Sequence, residues 1–504
     1  MKNINIIEIS NYLDNIKKYA YKDIAHIQNN VLNKNPYTSN FIQNCLQQKK
    51  LKKPNKLFLF RKIILFYIKN LAIFGSYTIS YAIFKLIGIK SKINFNKDIY
   101  LIDTFFLVNK IIENNSFKDQ YFTGIYEILT RSGKDFAFLP RVYGIEKNPF
   151  KLIQLLRILK NDNQSKYLFE YELLTLYDIL KILFFIFKYP FKQFELLQKE
   201  VSDLDKNFNY ELFCSLPNTS FEAYVRYLVG KKIAKRFAGN LFIVSWQEFQ
   251  NLEKSFYRSI RESNNNIFIY GCEFLIKYEN YLSMHITDVD VELNITPHQT
   301  LLNGKYNYSR SSKHNFKHGV SLRYKNIFRD FNYNDHDGSF LALLGYDVKE
   351  SQNLLNTVNS IEDLTIKLHP TTIEDQFSLF NKSKSKSKSK WKYTYINLYN
   401  LFDKTSIVFA PTMTGTALEA VASGVSVIII ADKDKFAVNP LVNYGQSKIW
   451  DIVNDDKELI EKVNILMKYR KNNVEEITLI SKWYRDNFFI EPNEKNIIKA
   501  FDLC

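Results

Sequence analysis

Two short stretches carry the residues best suited to chemistry. The segment LTIKLHP ends in Lys367, His369 and Pro370, and the segment Ser406 to Ile430 places Thr412, Thr414, Gly415 and Thr416 between a strand pattern and a helix pattern. A turn of hydroxyls and backbone N–H groups at a helix start gathers orphan donors at the positive end of the helix dipole, which suits an anion. His369 can donate to the same group, and Glu419, one turn into the helix, is placed to accept from ribose or sugar hydroxyls. Taken singly, a histidine before proline is more often structural, and TGT at a helix start is more often simple capping. Their shared position at strand ends favours a phosphate-bearing ligand.

The elements around them explain why they should meet. In an open parallel sheet, ligands bind beyond the carboxyl ends of the strands, where loops enter helices. SFLALLGYD, LTIKLHP, SIVFA and VSVIII read as strands of one α/β unit, with SQNLLNTVNSIED as a helix between the first two. An earlier unit opens with DIYLIDTFF, a helix YFTGIYEILTRSGK with Thr123 as N-cap and Gly133 near its end, and DFAFLPRVYG. Strand patterns return at NLFIVSW, NIFIYGCEF and DVDVELNITPH, whereas residues 298–319 read as a polar loop. The expected organisation is a basic helical extension over 1–95, a first α/β domain with a helical insertion over 96–335, and a second over 336–504. The alternating run NKSKSKSKSKWK can bury nothing and reads as a solvated loop.

Composition narrows the partners. The chain has 504 residues, 46% of them hydrophobic, and its 69 Lys and Arg against 52 Asp and Glu give a formal charge of +17. Such a balance favours anionic partners, although abundant Lys, Asn and Ile also fit an AT-rich coding bias. No RNA- or DNA-binding module is recognisable, so a nucleic-acid partner is not expected. Four widely spaced cysteines argue against a disulfide framework or a zinc site, and no metal is expected. The N-terminus carries acids and lacks a sustained apolar core, unlike a secretory signal. The segment Lys56 to Lys90 is apolar, aromatic and interrupted by Arg61, Lys62, Lys69 and Lys85. It reads as an interfacial helix on an anionic membrane or as a core helix with a basic edge, not as a span. The matching location is the cytoplasm, peripheral at the inner face of the membrane.

The combination of KLHP with FAPTMTGTALEAVASGVSVIII resembles the C-terminal half of GT-B glycosyltransferases that build bacterial surface polysaccharides (capsule and lipopolysaccharide). Similar His-Pro and Ser/Thr motifs occur in sialyltransferases, capsule Kdo transferases and teichoic-acid glycerophosphotransferases. The resemblance implies an α/β, GT-B-like fold of two Rossmann-like domains facing a cleft, and a nucleotide-sugar donor, CMP-linked donors included, with no separate cofactor. It implies that His369 and Thr414 to Thr416 hold the nucleotide phosphate and that Glu419 meets the ribose. The acceptor would be a glycan or lipid-linked glycan. A second resemblance, on CEFLIKYENYLSMHI and NITPHQT, is to uncharacterised surface-carbohydrate biosynthesis proteins. Inverting transfer needs a base near the acceptor hydroxyl. Glu273, at a strand end, is the first candidate, His298 the second and Asp337, in NDHDGS, the third. A nucleotide-sugar epimerase of similar fold and a non-catalytic scaffold are the alternatives.

Overall fold

A computed structural model describes residues 5–503 apart from 50, 52–53, 89, 144–148, 163–164, 264–265, 330–338, 346, 370–390 and 433–437. Asp337, Pro370 and most of the Lys-Ser run therefore lie outside the described residues. The described residues form two α/β units, each built on a six-stranded, wholly parallel sheet. This is the two-domain, GT-B-like plan.

The first sheet runs β2-β1-β3-β4-β5-β6, from β1 (Ile99–Leu107), β2 (Phe136–Tyr143), β3 (Leu241–Gln247), β4 (Ile267–Glu273), β5 (Gln299–Leu302) and β6 (Phe316–His318). The second runs β12-β11-β10-β7-β8-β9, from β7 (Phe340–Leu343), β8 (Leu364–Lys367), β9 (Lys392–Thr394), β10 (Ile407–Pro411), β11 (Ser426–Ile430) and β12 (Trp450–Val453). Strand order reverses between β1 and β3 in one sheet and between β10 and β7 in the other. Each reversal opens a crevice at the carboxyl ends.

The apolar runs behave as strands covered on both faces. On β10, Val408 and Ala410 enter one core while Ile407 and Phe409 enter the core on the opposite face, as the two-residue strand period requires. The N-terminal helices are not set apart from the first unit. Ile9, Leu13, Phe41, Phe66 and Phe84 share one core with Leu101 and Ile102 of β1. The closing helix Glu494–Phe501 also packs there, with Phe501 against Tyr270 of β4.

Three local readings change. DVDVELNITPH begins as a short helix, Asp288–Glu292, because Thr287 and Asp290 form a reciprocal capping box and Asp290 also binds the buried Lys17. The polar stretch at 298–319 contains β5 and β6, which pair in parallel as short strands. The helix expected to start at Thr123 starts at Ile125, since Gly124 sits at φ 90° and serves as its N-cap. Among the described residues, no helix is long and apolar enough to cross a membrane.

Candidate active site

The reversal in the second sheet brings the two sequence-predicted segments to neighbouring strand ends. β10 pairs with β7 and β7 with β8, so the turn after Pro411 and the Lys367–His369 segment flank one crevice. The turn is conformationally unusual. Met413 lies at φ +63°, a left-handed position that costs an L-residue roughly 1–2 kcal/mol, and its N–H is held by the Val438 carbonyl at 3.0 Å. Strain of this kind persists where surrounding structure enforces it, and it tends to cluster at functional sites. Thr412 is buried, while Thr414, Gly415 and Thr416 remain half-buried at the start of the Thr416–Ala422 helix. A Cβ on Gly415 would lie 3.0 Å from the Tyr278 hydroxyl, a tight contact that glycine avoids.

The predicted ribose ligand, Glu419, is buried and accepts from the Tyr399 hydroxyl at 2.6 Å. Burial pushes its carboxyl up, opposed by Arg323 and by the Tyr399 bond. His369 is half-buried. Burial, then Arg323 and Lys367, lower its pKa, which favours the neutral imidazole at pH 7. Burial also lowers Lys367, and Lys110 of the first unit adds to this from the far side of the crevice.

Arg323 was not anticipated, and it organises the site. It lies in the irregular run Leu322–Phe328 that carries the chain from one sheet to the other. Its side chain is open to solvent, yet its charge reaches His369 and Glu419 of the second unit and Tyr121 and Glu248 of the first. Neither Arg323 nor Lys367 makes an ion pair among the described residues. An irregular connection has no periodicity, so nothing in the sequence marked Arg323.

Across from it, Glu248 follows the last residue of β3, at the reversal in the first sheet. It is half-buried, and Trp246 Nε1 donates to its Oε1 at 3.0 Å. Burial, then the Glu253 carboxylate, push its pKa up to about 7, against the Trp246 bond and the fields of Arg323 and Arg141. A carboxylate poised there suits proton transfer near neutral pH. Trp246 in turn stacks on Phe274 at 4.6 Å and meets Tyr121 edge-on at 4.6 Å. Together these rings make an aromatic wall beside the carboxylate. The strand-end logic that picked Glu273 applied equally to Glu248.

The three residues first considered as the base are placed differently. Glu273 does end β4, but it is buried and ion-paired with the buried Lys277. Burial raises its pKa, and Lys277 opposes that rise. His298 precedes β5 at the amino-terminal edge of the sheet, where its Nδ1 accepts from the Ile269 N–H at 3.0 Å and its ring stacks on Phe268. Burial, then Arg261, lower it to about 4. Asp337 lies outside the described residues.

No protein-family model and no curated protein matches the sequence. Solved structures do resemble the chain distantly. MurG of Acinetobacter baumannii is 10% identical, with a TM-score of 0.41 over 81% of this chain and 100% of that one. The MnaA–UDP complex of S. aureus is 8% identical, with a TM-score of 0.43 over 81% and 98%. The glycosyltransferase SnogD of Streptomyces nogalater is 10% identical, with a TM-score of 0.41 over 81% and 100%. Likeness this distant decides neither substrate nor reaction.

Proposed function

We propose that this protein transfers a sugar from a nucleotide-sugar donor to a hydroxyl of a glycan or lipid-linked acceptor in surface-polysaccharide assembly. The observation that carries this reading is the convergence of Arg323, Lys367 and His369 at the carboxyl edge of the second sheet, with Glu248 facing them from the first. Cations without carboxylate partners in a crevice attract a charged ligand, and a diphosphate would suit both Arg323 and Lys367. The Thr412–Thr416 turn adds hydroxyl and N–H donors on the same side, and Glu419 supplies an acceptor for ribose hydroxyls.

In the proposed reaction the acceptor oxygen forms a bond to the anomeric carbon as the bond from that carbon to the donor phosphate breaks. Glu248 takes the proton lost by the acceptor hydroxyl. The charge that grows on the departing nucleotide falls on Arg323 and Lys367, and His369 donates a hydrogen bond. Donors and cations fixed in advance where that charge develops contribute most to lowering the barrier in sites of this kind.

Calorimetric titration with UDP, GDP, CDP and CMP tests the donor half. At least one should bind, and Lys367→Ala or Arg323→Ala should each weaken it about tenfold or more, since a hydrogen bond to a charged group is worth about 1.5–3 kcal/mol. Unchanged affinity in both variants, or no binding by any nucleotide, removes the model. A sugar-labelled donor then separates the chemistries: label joined to an acceptor means transfer, whereas label on an epimerised nucleotide sugar means epimerisation.

A further inference from the structure

Two helices of the N-terminal region present apolar faces to solvent. On the Lys56–Ile87 helix, Leu57, Phe60, Ile64, Ile68 and Leu71 recur every three or four residues and are all exposed, Leu57 by 75%. On the Leu176–Phe194 helix, Leu180, Phe184, Phe187, Phe191 and Phe194 do the same, with Phe184 at 68% and Phe191 at 64%. That spacing marks one face of a helix, and here the face points away from the core. The helices lie against each other, with Phe66 stacked on Tyr189 at 5.3 Å and the Tyr67 hydroxyl donating to the Phe187 carbonyl at 2.9 Å. The stripes therefore belong to one surface. Scattered exposed apolar residues need no explanation, but a continuous patch does.

Charge decides what can cover it. The Lys56–Ile87 helix carries five cations and no carboxylate. The Leu176–Phe194 helix carries Lys181 and Lys188, with Lys192 paired to Asp23 and Glu195; its single carboxylate, Asp178, is buried and bound to Lys232. Beside it opens a groove of ≈ 420 Å³ whose lining includes Tyr177, Lys181, Phe184 and Lys188. Lys181 sits 4.3 Å from the centre of the Tyr177 ring. A second copy of the chain would set these cations against their own kind. An anionic bilayer matches both properties: apolar rings enter the acyl boundary while lysine stems reach up to the headgroups. From Leu57 to Leu71 the first stripe runs about 21 Å along its helix at 1.5 Å per residue, an extent suited to a planar interface.

We propose that this two-helix face lies on an anionic membrane surface, with the Lys181–Lys188 groove taking lipid headgroups. The full-length chain should float with phosphatidylglycerol-containing vesicles and not with pure phosphatidylcholine ones. Leu180→Glu/Phe184→Glu/Phe191→Glu should cut vesicle partitioning at least about tenfold, and Lys181→Glu/Lys188→Glu, which leaves the apolar stripes intact, should do so as well. Unchanged melting temperature in each variant separates lost binding from lost folding. The assay needs neither donor nor acceptor, so it stands apart from the proposed reaction. Absence of the wild type from the floated fraction, or equal flotation of wild type and both variants, overturns the proposal. So does a wild-type dimer that the triple variant dissolves, because a second copy would then own the face.

Discussion

The reversals in the two sheets treat charge in opposite ways. Beside the first, Asp103 on β1 is fully buried and bound by Arg141 Nε at 2.9 Å, by Arg226 at 2.7 Å and by the Ser245 hydroxyl, while Arg141 also binds Glu253. Burial alone would raise the Asp103 carboxyl, yet the two guanidinium groups hold it below its ordinary value. Every charge in this cluster has a partner inside the protein. At the second reversal Arg323 and Lys367 have none among the described residues, and Arg323 stays open to water. The first cluster joins β1, β2 and β3 to the helices behind them. The second leaves Arg323 and Lys367 without an ion pair among the described residues. A buried, paired charge network is an architectural joint, whereas the convergent cations in the crevice are what the proposed donor site rests on.

The contrast can be broken by mutation. Asp103→Ala leaves two guanidinium groups buried with too few partners, which costs about 3–5 kcal/mol in comparable cases. Urea unfolding should show a loss of that size, or failure to fold, whereas Arg323→Ala should stay within about 0.5 kcal/mol of wild type. Similar losses at both positions would erase the distinction. Glu248→Gln should lower turnover about 10²–10⁴-fold with nucleotide affinity unchanged. In the wild type the rate should rise with pH through about 7, as Glu248 loses its proton; persistence of that limb in the glutamine variant would assign the base elsewhere.

A third cluster sits between the two extremes. Lys17, Lys34 and Lys254 are buried around Asp14 and Asp290, with Lys17 bound to both acids, Lys34 to Asp14, and Glu253 acting on Lys254 from further off. Lys254 donates to the Asn33 side chain at 2.9 Å and lies over the Phe249 ring, 4.4 Å from its centre. Burial, then Lys17, draw Lys254 down to about 7 and Lys34 down to about 8. The unfolded chain keeps both lysines charged up to about 10. Between those limits it binds more protons than the folded protein, so stability rises with pH from about 7 towards 10. The slope is at most about 1.4 kcal/mol per pH unit for each group. Lys254→Met should flatten the rise in urea midpoints across that window, and an unchanged slope would show that Lys254 is not the group responsible.

Much of this architecture was legible in the residues. The strands at 99–107, 136–143, 241–247, 267–273, 340–343, 407–411 and 426–430 are runs of Ile, Val, Leu and Phe long enough to stand out, because a strand buried on both faces needs no alternation. The short strands β5, β6 and β9 were not legible. Their few polar residues become strands only by pairing with a neighbour already in place. The Asp288–Glu292 turn shows the reverse case: VDVEL alternates like a strand, but Thr287 and Asp290 supply a local cap that favours helix.

The sequence by itself determined the two α/β units, the placing of Lys367, His369 and the Thr412–Thr416 turn at strand ends, and the apolar, basic character of residues 56–90. These follow from local rules: hydrophobic period, capping residues and charge count. Tertiary structure alone decided which carboxylate faces the crevice. Glu248 and Glu273 both stand at strand ends, and only packing placed Lys277 against one and left the other opposite Arg323. It also decided that the two apolar helices share one outward face, because a periodic stripe in the sequence shows which side of a helix is greasy but not which way that side points.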